Sequence, residues 1–176
     1  WQIRGNRVLN EKNDVVLEWN NGKGLIFKKT IKIDEKYLFK IKQEVKNNTS
    51  SKINLYPYSQ ITRNKKPDDV MGFYILHEGF IGVFDGELKE DDYDDIQEKK
   101  IVRNSNNGWL GITDKYWVTA IVPPKDRSFK STFLYKENFR ANYILNSPVI
   151  INPKSSSGNE VRLFVAAKEV ETVDGY

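Results

Sequence analysis

"GLIFKKTIKID", residues 24–34, repeats with a period of two. Leu25, Phe27, Ile31 and Ile33 are apolar, and Lys28, Thr30 and Lys32 fall between them. Only an extended strand sends alternate side chains to opposite faces, so one face of this segment is dry and the other wet. After Asp34-Glu35-Lys36 the pattern resumes, with Tyr37, Phe39, Ile41 and Val45 set against Lys40, Lys42, Glu44 and Lys46. The two runs predict a β-hairpin. Gly22 and Gly24 in "NNGKG" are a second hairpin signal just before it.

Working outward, "NNTSSK" (47–52) reads as a turn by its Asn and Ser content. "INLYPYSQIT" (53–62) reads as a strand, with Pro57 at an edge or bulge because proline cannot donate to a ladder. Further strands are expected over 73–77, 80–84, 109–113, 116–122, 129–136, 142–146, 149–151 and 160–166. Residues 117–122 are apolar on both faces, which predicts a place between two layers. The aromatic-rich stretch "NNGWLGITDKYWVTAIVPP" (106–124) is expected to be core with its turns, Gly-Ile-Thr-Asp linking two neighbouring strands. So many short strands between Gly, Asn and Pro turns imply an all-β sandwich or barrel-like fold. Helix is scarce. The best candidate is "AKEVETVDGY" (167–176), where Val170, Val173 and Tyr176 fall three apart, and a weaker helical turn lies in "EDDYDDIQEK" (90–99). The acidic segment 85–98 and residues 152–160 are expected to be the least ordered. With no repeat and no linker, 1–176 reads as a single domain.

Composition narrows the function classes. The 176 residues suffice for one domain with a core, and 39% apolar with 12% aromatic residues argues against disorder. No apolar run approaches the roughly 20 residues of a membrane span. The opening Trp1-Gln2-Ile3-Arg4 is not a signal peptide, so the chain reads as a piece of something longer. The net charge of +4 comes from lysines spread along the strands, which is not a nucleic-acid footprint. With no cysteine there is no disulfide, thiolate metal site or cysteine nucleophile.

Motifs for chemistry are thin. The run Glu90-Asp91-Asp92-Tyr93-Asp94-Asp95 fails the EF-hand template, because counting from Asp92 puts Ile96 fifth and Gln97 sixth. It reads as a solvated acidic loop neutralised by Lys99, Lys100 and Arg103. His77-Glu78 is the one adjoining imidazole and carboxylate, yet neighbours on a strand face opposite ways, so a shared acid/base site is not expected. Neither a G-x-S-x-G elbow nor a glycine-rich phosphate loop occurs. The sequons at Asn47 and Asn48 read as chance matches in an Asn-rich turn. No cofactor is expected.

Four blocks, "LEWNNGKGLIF" (17–27), "YILHEGFIGVFDG" (74–86), "GWLGITDKYWVTAIVP" (108–123) and "RLFVAAKEVETVDGY" (162–176), resemble in order the large periplasmic domain of YidC-type membrane protein insertases of Gram-negative bacteria. The similarity runs across nearly the whole chain. It implies a galactose-mutarotase-like β-supersandwich with a short C-terminal helix, lying between the first two membrane spans at the periplasmic face of the inner membrane. It also implies that the family domain's opening strands precede Trp1. A non-catalytic role in inserting and folding inner-membrane proteins follows, alone or with the Sec translocon, so the implied partners are translocon components and nascent inner-membrane proteins. Insertion itself is attributed in that family to the membrane part.

The end of the domain nearest the membrane is then the candidate interface, comprising Phe164, Lys168, Glu169, Val170, Val173 and Tyr176. Full burial of Val170 and Val173 contributes about 1.5–3 kcal/mol each. Two other readings differ in what they require. A carbohydrate-binding or mutarotase-like sandwich needs His77 exposed in a pocket beside convergent carboxylates. A peptide-binding chaperone surface needs a broad apolar groove or an open strand edge.

Overall fold

A computed structural model describes residues 1–67 and 77–168. Five strands come first: β1 (Gln2–Arg4), β2 (Val15–Asn20), β3 (Leu25–Ile33), β4 (Leu38–Asn47) and β5 (Ile53–Leu55). Then come β6 (Tyr58–Arg63), β7 (Gly79–Phe84), β8 (Glu87–Asp92), the helix α1 (Tyr93–Glu98), β9 (Ile101–Ser105), β10 (Gly108–Thr113), β11 (Trp117–Val122), β12 (Phe129–Lys136) and β13 (Asn138–Leu145). The last are β14 (Val149–Ile151) and β15 (Ser156–Ala167). The all-β expectation holds. The chain forms two compact units, Trp1–Pro57 with Ser147–Leu163, and Tyr58–Asn146 with the segment from Phe164 on.

In the first unit the strand order is β1-β2-β3-β4-β15, and β14 pairs with β5 in a small separate ladder. The quoted hairpin forms. Ile33 lies opposite Phe39, Ile31 opposite Ile41, and Phe27 opposite Val45. On the other side of β3, Phe27 faces Trp19 with ring centroids 5.1 Å apart. Tyr37 departs from the expectation. It is an exposed turn residue with φ of 59°, and Leu38 opens β4 instead, buried. The cause is Asp34, whose Oδ1 accepts from the backbone N–H of Lys36 at 2.9 Å and of Leu38 at 3.0 Å, closing the turn one residue later than the apolar pattern suggests.

The turn after β4 is organised by one buried side chain. Asn47 is 0% exposed. Its Nδ2 donates to the carbonyls of Ser51 (2.8 Å), Ile151 (3.2 Å) and Asn152 (3.3 Å). Its Oδ1 accepts from the Thr49 N–H and hydroxyl. Every hydrogen-bonding position of this amide is used within the protein, so the sequon at Asn47 has no amide free to modify.

The expected strand over 53–62 is two strands, β5 and β6, which belong to different ladders and are interrupted at Tyr56-Pro57. Proline's missing N–H ends the first ladder there.

The second unit holds two sheets. One has the order β15-β11-β10-β7-β8, with residues 164–167 of β15, and the other has β6-β13-β12-β9. Strict alternation on β13 turns Phe139, Ala141, Tyr143 and Leu145 inward, and on β12 Phe129, Ser131 and Phe133. Phe80 of β7 comes from the opposite sheet, at 0% exposure. Its ring lies 4.9 Å from Phe133, 5.9 Å from Tyr93 and 6.1 Å from Phe139. This aromatic layer is the core of a sandwich, each fully buried Phe contributing about 1.5–3 kcal/mol.

The acidic segment is regular structure rather than loose loop. Residues 87–92 are β8 and 93–98 are α1, which meets the expected helical turn. Asp91 makes a two-pronged pair with Arg103 of β9 (2.8 and 2.9 Å), and Asp94 pairs with Lys66 (2.7 Å). Residues 156–160 likewise belong to β15. The aromatic stretch is only partly core: Leu110, Ile112, Ala120 and Ile121 are buried, whereas Trp117 stands out in solvent. Gly111-Ile112-Thr113 finish β10, so the turn is 114–116. Apart from His77 the expected strand 73–77 lies outside the described residues, as does 169–176 of the C-terminal helix. Ala167 ends β15.

Asn47→Ala strands three carbonyls and unpins the turn. We expect a loss of about 2–3 kcal/mol, read as a lower urea midpoint with an unchanged slope. Burial pushes the Tyr143 hydroxyl up to about 12, with Ser59 opposing. The folded state therefore keeps this proton above the unfolded value of about 10. Its stabilisation is complete below that pH and is lost as pH rises to about 12. The thermal midpoint should fall more steeply across this window in the wild type than in Tyr143→Phe.

Candidate functional site

The described part of the candidate interface lies where β15 ends. Phe164 is half-buried within that strand, and Lys168 follows it. The Lys168 backbone N–H donates to the Tyr116 carbonyl at 2.9 Å, and its Nζ donates to the His77 carbonyl at 2.9 Å. One residue thus ties the strand end to the β10–β11 turn and to the segment entering β7. Burial pushes the Lys168 ammonium below its ordinary value, while Glu78, Asp114 and Glu90 draw it back up. Glu169, Val170, Val173 and Tyr176 lie outside the described residues.

Beside Lys168 the Asp114 carboxylate forms a node. Its Oδ1 accepts from the Tyr93 hydroxyl at 2.7 Å, and its Oδ2 meets Arg63 Nη1 at 2.6 Å. The Asp114 N–H donates to the Trp117 carbonyl at 2.8 Å, closing the turn. One carboxylate therefore joins α1, the end of β6 and the β10–β11 turn. Burial first, and then the bond to Asp114, push the Tyr93 hydroxyl upward, so it remains a donor. The sequence offered Asp114 only as a turn residue. Its partners are 51 and 21 positions away in the chain, and no local pattern announces them.

His77 bonds a backbone carbonyl. Its Nε2 meets the Phe80 carbonyl at 2.9 Å, which makes that nitrogen the protonated one, and its Nδ1 lies 3.6 Å from the exposed Asp92. The side chain is 12% exposed. Glu78 Oε1 is buried without a hydrogen-bond partner, held near the Lys168 charge. This arrangement pins backbone segments together, and its imidazole is not directed into open space.

The sequence model of the family described as YidC periplasmic domain matches residues 1–176. The chain belongs to that family. A "Membrane protein insertase YidC" of Pelagibacter ubique (strain HTCC1062) is 46% identical over the whole chain, which covers 31% of that protein. The chain thus spans about a third of the length of the curated relatives it matches. Among solved structures, the Slr1438 protein from Synechocystis sp. PCC 6803 aligns at a TM-score of 0.60 and 10% identity, covering 96% of this chain and 66% of that one. The galactosidase domain of the alpha-galactosidase-sucrose kinase AgaSK also gives 0.60, at 12% identity over 98% of this chain and 28% of that one. At such identities the likeness is one of fold alone. In this YidC periplasmic domain the Asp114 node sits in the β10–β11 turn, whose Tyr116 carbonyl accepts from Lys168 just after β15.

Asp114→Ala leaves Arg63 and Tyr93 without their shared partner. We expect a loss of about 1–3 kcal/mol, limited because Arg63 keeps access to water. Tyr93→Phe should cost less, about 1 kcal/mol. Guanidinium denaturation of the two variants checks the order.

Proposed function

We propose that residues 1–176 act as one non-catalytic module of a membrane protein insertase, at the periplasmic face of the inner membrane, which assists the insertion and folding of inner-membrane proteins. One observation carries the reading: the family match extends over the entire chain, and longer relatives 46% and 34% identical across it are named membrane protein insertases. The non-catalytic part is supported by His77, whose Nε2 is engaged by the Phe80 carbonyl and whose ring is 12% exposed, with the exposed carboxylate of Asp92 near its Nδ1. A sugar epimerisation would need an acid and a base aimed at one ring.

In this reading the end of β15 transmits the domain's position. Phe164 and Lys168 begin an interface continued by Glu169, Val170, Val173 and Tyr176, and its partners are components of the Sec translocon and nascent inner-membrane proteins. Lys168, bonded through both its backbone and its side chain, supplies a fixed origin for that segment.

The test uses the full-length insertase in cells, scored for membrane insertion of a substrate protein. Joint replacement of Val170 and Val173 by Asp should reduce insertion several-fold, and stepwise deletion that keeps only residues 160–176 should retain it. Normal insertion with the double replacement would overturn the assignment.

A further inference from the structure

The outer face of one sheet carries bases and no acids. In the sheet β6-β13-β12-β9 the phenylalanines of β12 and β13 point inward, so alternation leaves Lys130, Lys136 and Arg140 on the other side. Lys130 lies between Ile144 and Asn104, and Arg140 between Leu134 and Thr62. Lys136 lies opposite Asn138 at the hairpin end. No outward strand position of this sheet holds Asp or Glu. Glu137 belongs to the turn beyond the strands, with φ of 63°.

The wet face of the first unit shows the ordinary alternative. There Lys28 lies between Glu18 and Glu44, Asp14 meets Lys32 at 3.0 Å, and Glu44 meets Lys42 at 3.0 Å. The chain has 24 acidic residues against 28 basic ones, so acids are not scarce but absent from this one face. Lys130 and Lys136 are exposed and make no hydrogen bond or ion pair among the described residues. Arg140 is held differently. Its Nε donates to the Asn138 Oδ1 at 2.6 Å, and its terminal nitrogens bond no described residue. Fixing Nε sets the guanidinium plane and leaves its outer edge to take both oxygens of a carboxylate.

The spacing describes the partner. Lys130 and Lys136 stand six residues apart on one strand, about 20 Å, and Arg140 falls between them opposite Leu134. The cations are spread along the strands and do not converge on a pocket. That spread suits carboxylates distributed over a macromolecule, not one small anion. Two features favour a protein over a bilayer. Asn142 lies between Gln60 and Thr132 at the middle of the face, and such groups pair with the amides of a polypeptide. The one ring, Tyr58, donates its hydroxyl to Gln60 at 2.6 Å, and Gln60 donates on to Thr62 at 2.8 Å. An interfacial anchor uses that polar end for headgroups and water instead.

We propose that the outer face of β6-β13-β12-β9 docks an acidic protein surface, with the Arg140 fork taking one carboxylate and Lys130 and Lys136 taking others on either side. The proposal stands on charge and register and is independent of the insertase reading.

The test is titration of the isotope-labelled 176-residue chain with an alternating Glu-Thr peptide, followed by NMR. Resonances of β12 and β13 should shift, and binding should weaken at high salt. Lys130→Gln, Lys136→Gln and Arg140→Gln together should weaken it roughly tenfold at an unchanged thermal midpoint. Arg140→Lys keeps the charge and loses the fork, and should weaken it about threefold. Lys40→Gln with Lys46→Gln, on the wet face of the first unit, should bind as the wild type does. The same peptide with Gln for Glu should not bind. No binding by the wild type, equal binding by the triple variant, equal binding of the Gln peptide, or an equal loss in the Lys40 and Lys46 variant would each overturn the proposal. Displacement of the peptide by phosphatidylglycerol vesicles would assign the face to lipid and overturn it too. Unchanged affinity in Arg140→Lys would overturn the part given to the fork.

Discussion

Phe80 is the contact on which the second unit depends. It sits on β7 of one sheet with no exposure, and its ring meets Phe133 of the opposite sheet together with Tyr93 of α1 and Phe139 of β13. Three other elements converge on this one side chain of β7. The contact is possible because alternation on β12 and β13 sends every second residue toward it. The short helix docks through Tyr93, whose ring packs on Phe139 at 4.8 Å and whose hydroxyl reaches Asp114. Packing and polar bonding are thus continuous from the middle of the core to the strand end where the candidate interface starts.

The polar groups divide the remaining work. Asp34, Asn47 and Asp114 each close a turn by accepting or donating to backbone groups, and each is near a strand end where ladder bonding has stopped. Arg103 closes the β8 and β9 edges by holding Asp91 while its guanidinium lies over Phe84 and Phe133. A charge in that position is tolerable because the guanidinium makes one hydrogen bond and one ion contact to the carboxylate and lies over two ring faces.

Legibility followed from the reach of each signal. The hairpin of Leu25–Ile33 and Leu38–Asn47 was readable because one dry face imposes a period of two on neighbouring residues. Val149–Ile151 was readable only as a short apolar run, and its outward Ile150 could not be told from the sequence. The strand Glu87–Asp92 was not, since it carries acids on both faces and buries only Asp91, through a partner twelve residues away. Trp117 was misplaced because an apolar residue at a strand end looks like core by type alone, and only the position of the turn decides its exposure. The Asp114 node was invisible for want of any local pattern. The interface at the end of β15 came from the family resemblance, and the strand's bonding to Tyr116 and His77 is what gives Lys168 a physical part in it.

Pro57 has a consequence for assembly of the chain. It falls between Ile53–Leu55 and Tyr58–Arg63, which pair with different partners, Val149–Ile151 and Asn138–Leu145. A one-residue slip in a strand turns its whole buried set outward. With no donor at the junction, zippering cannot run through from one pairing to the next, so an error of alignment in either ladder stays local and can be undone without melting the other.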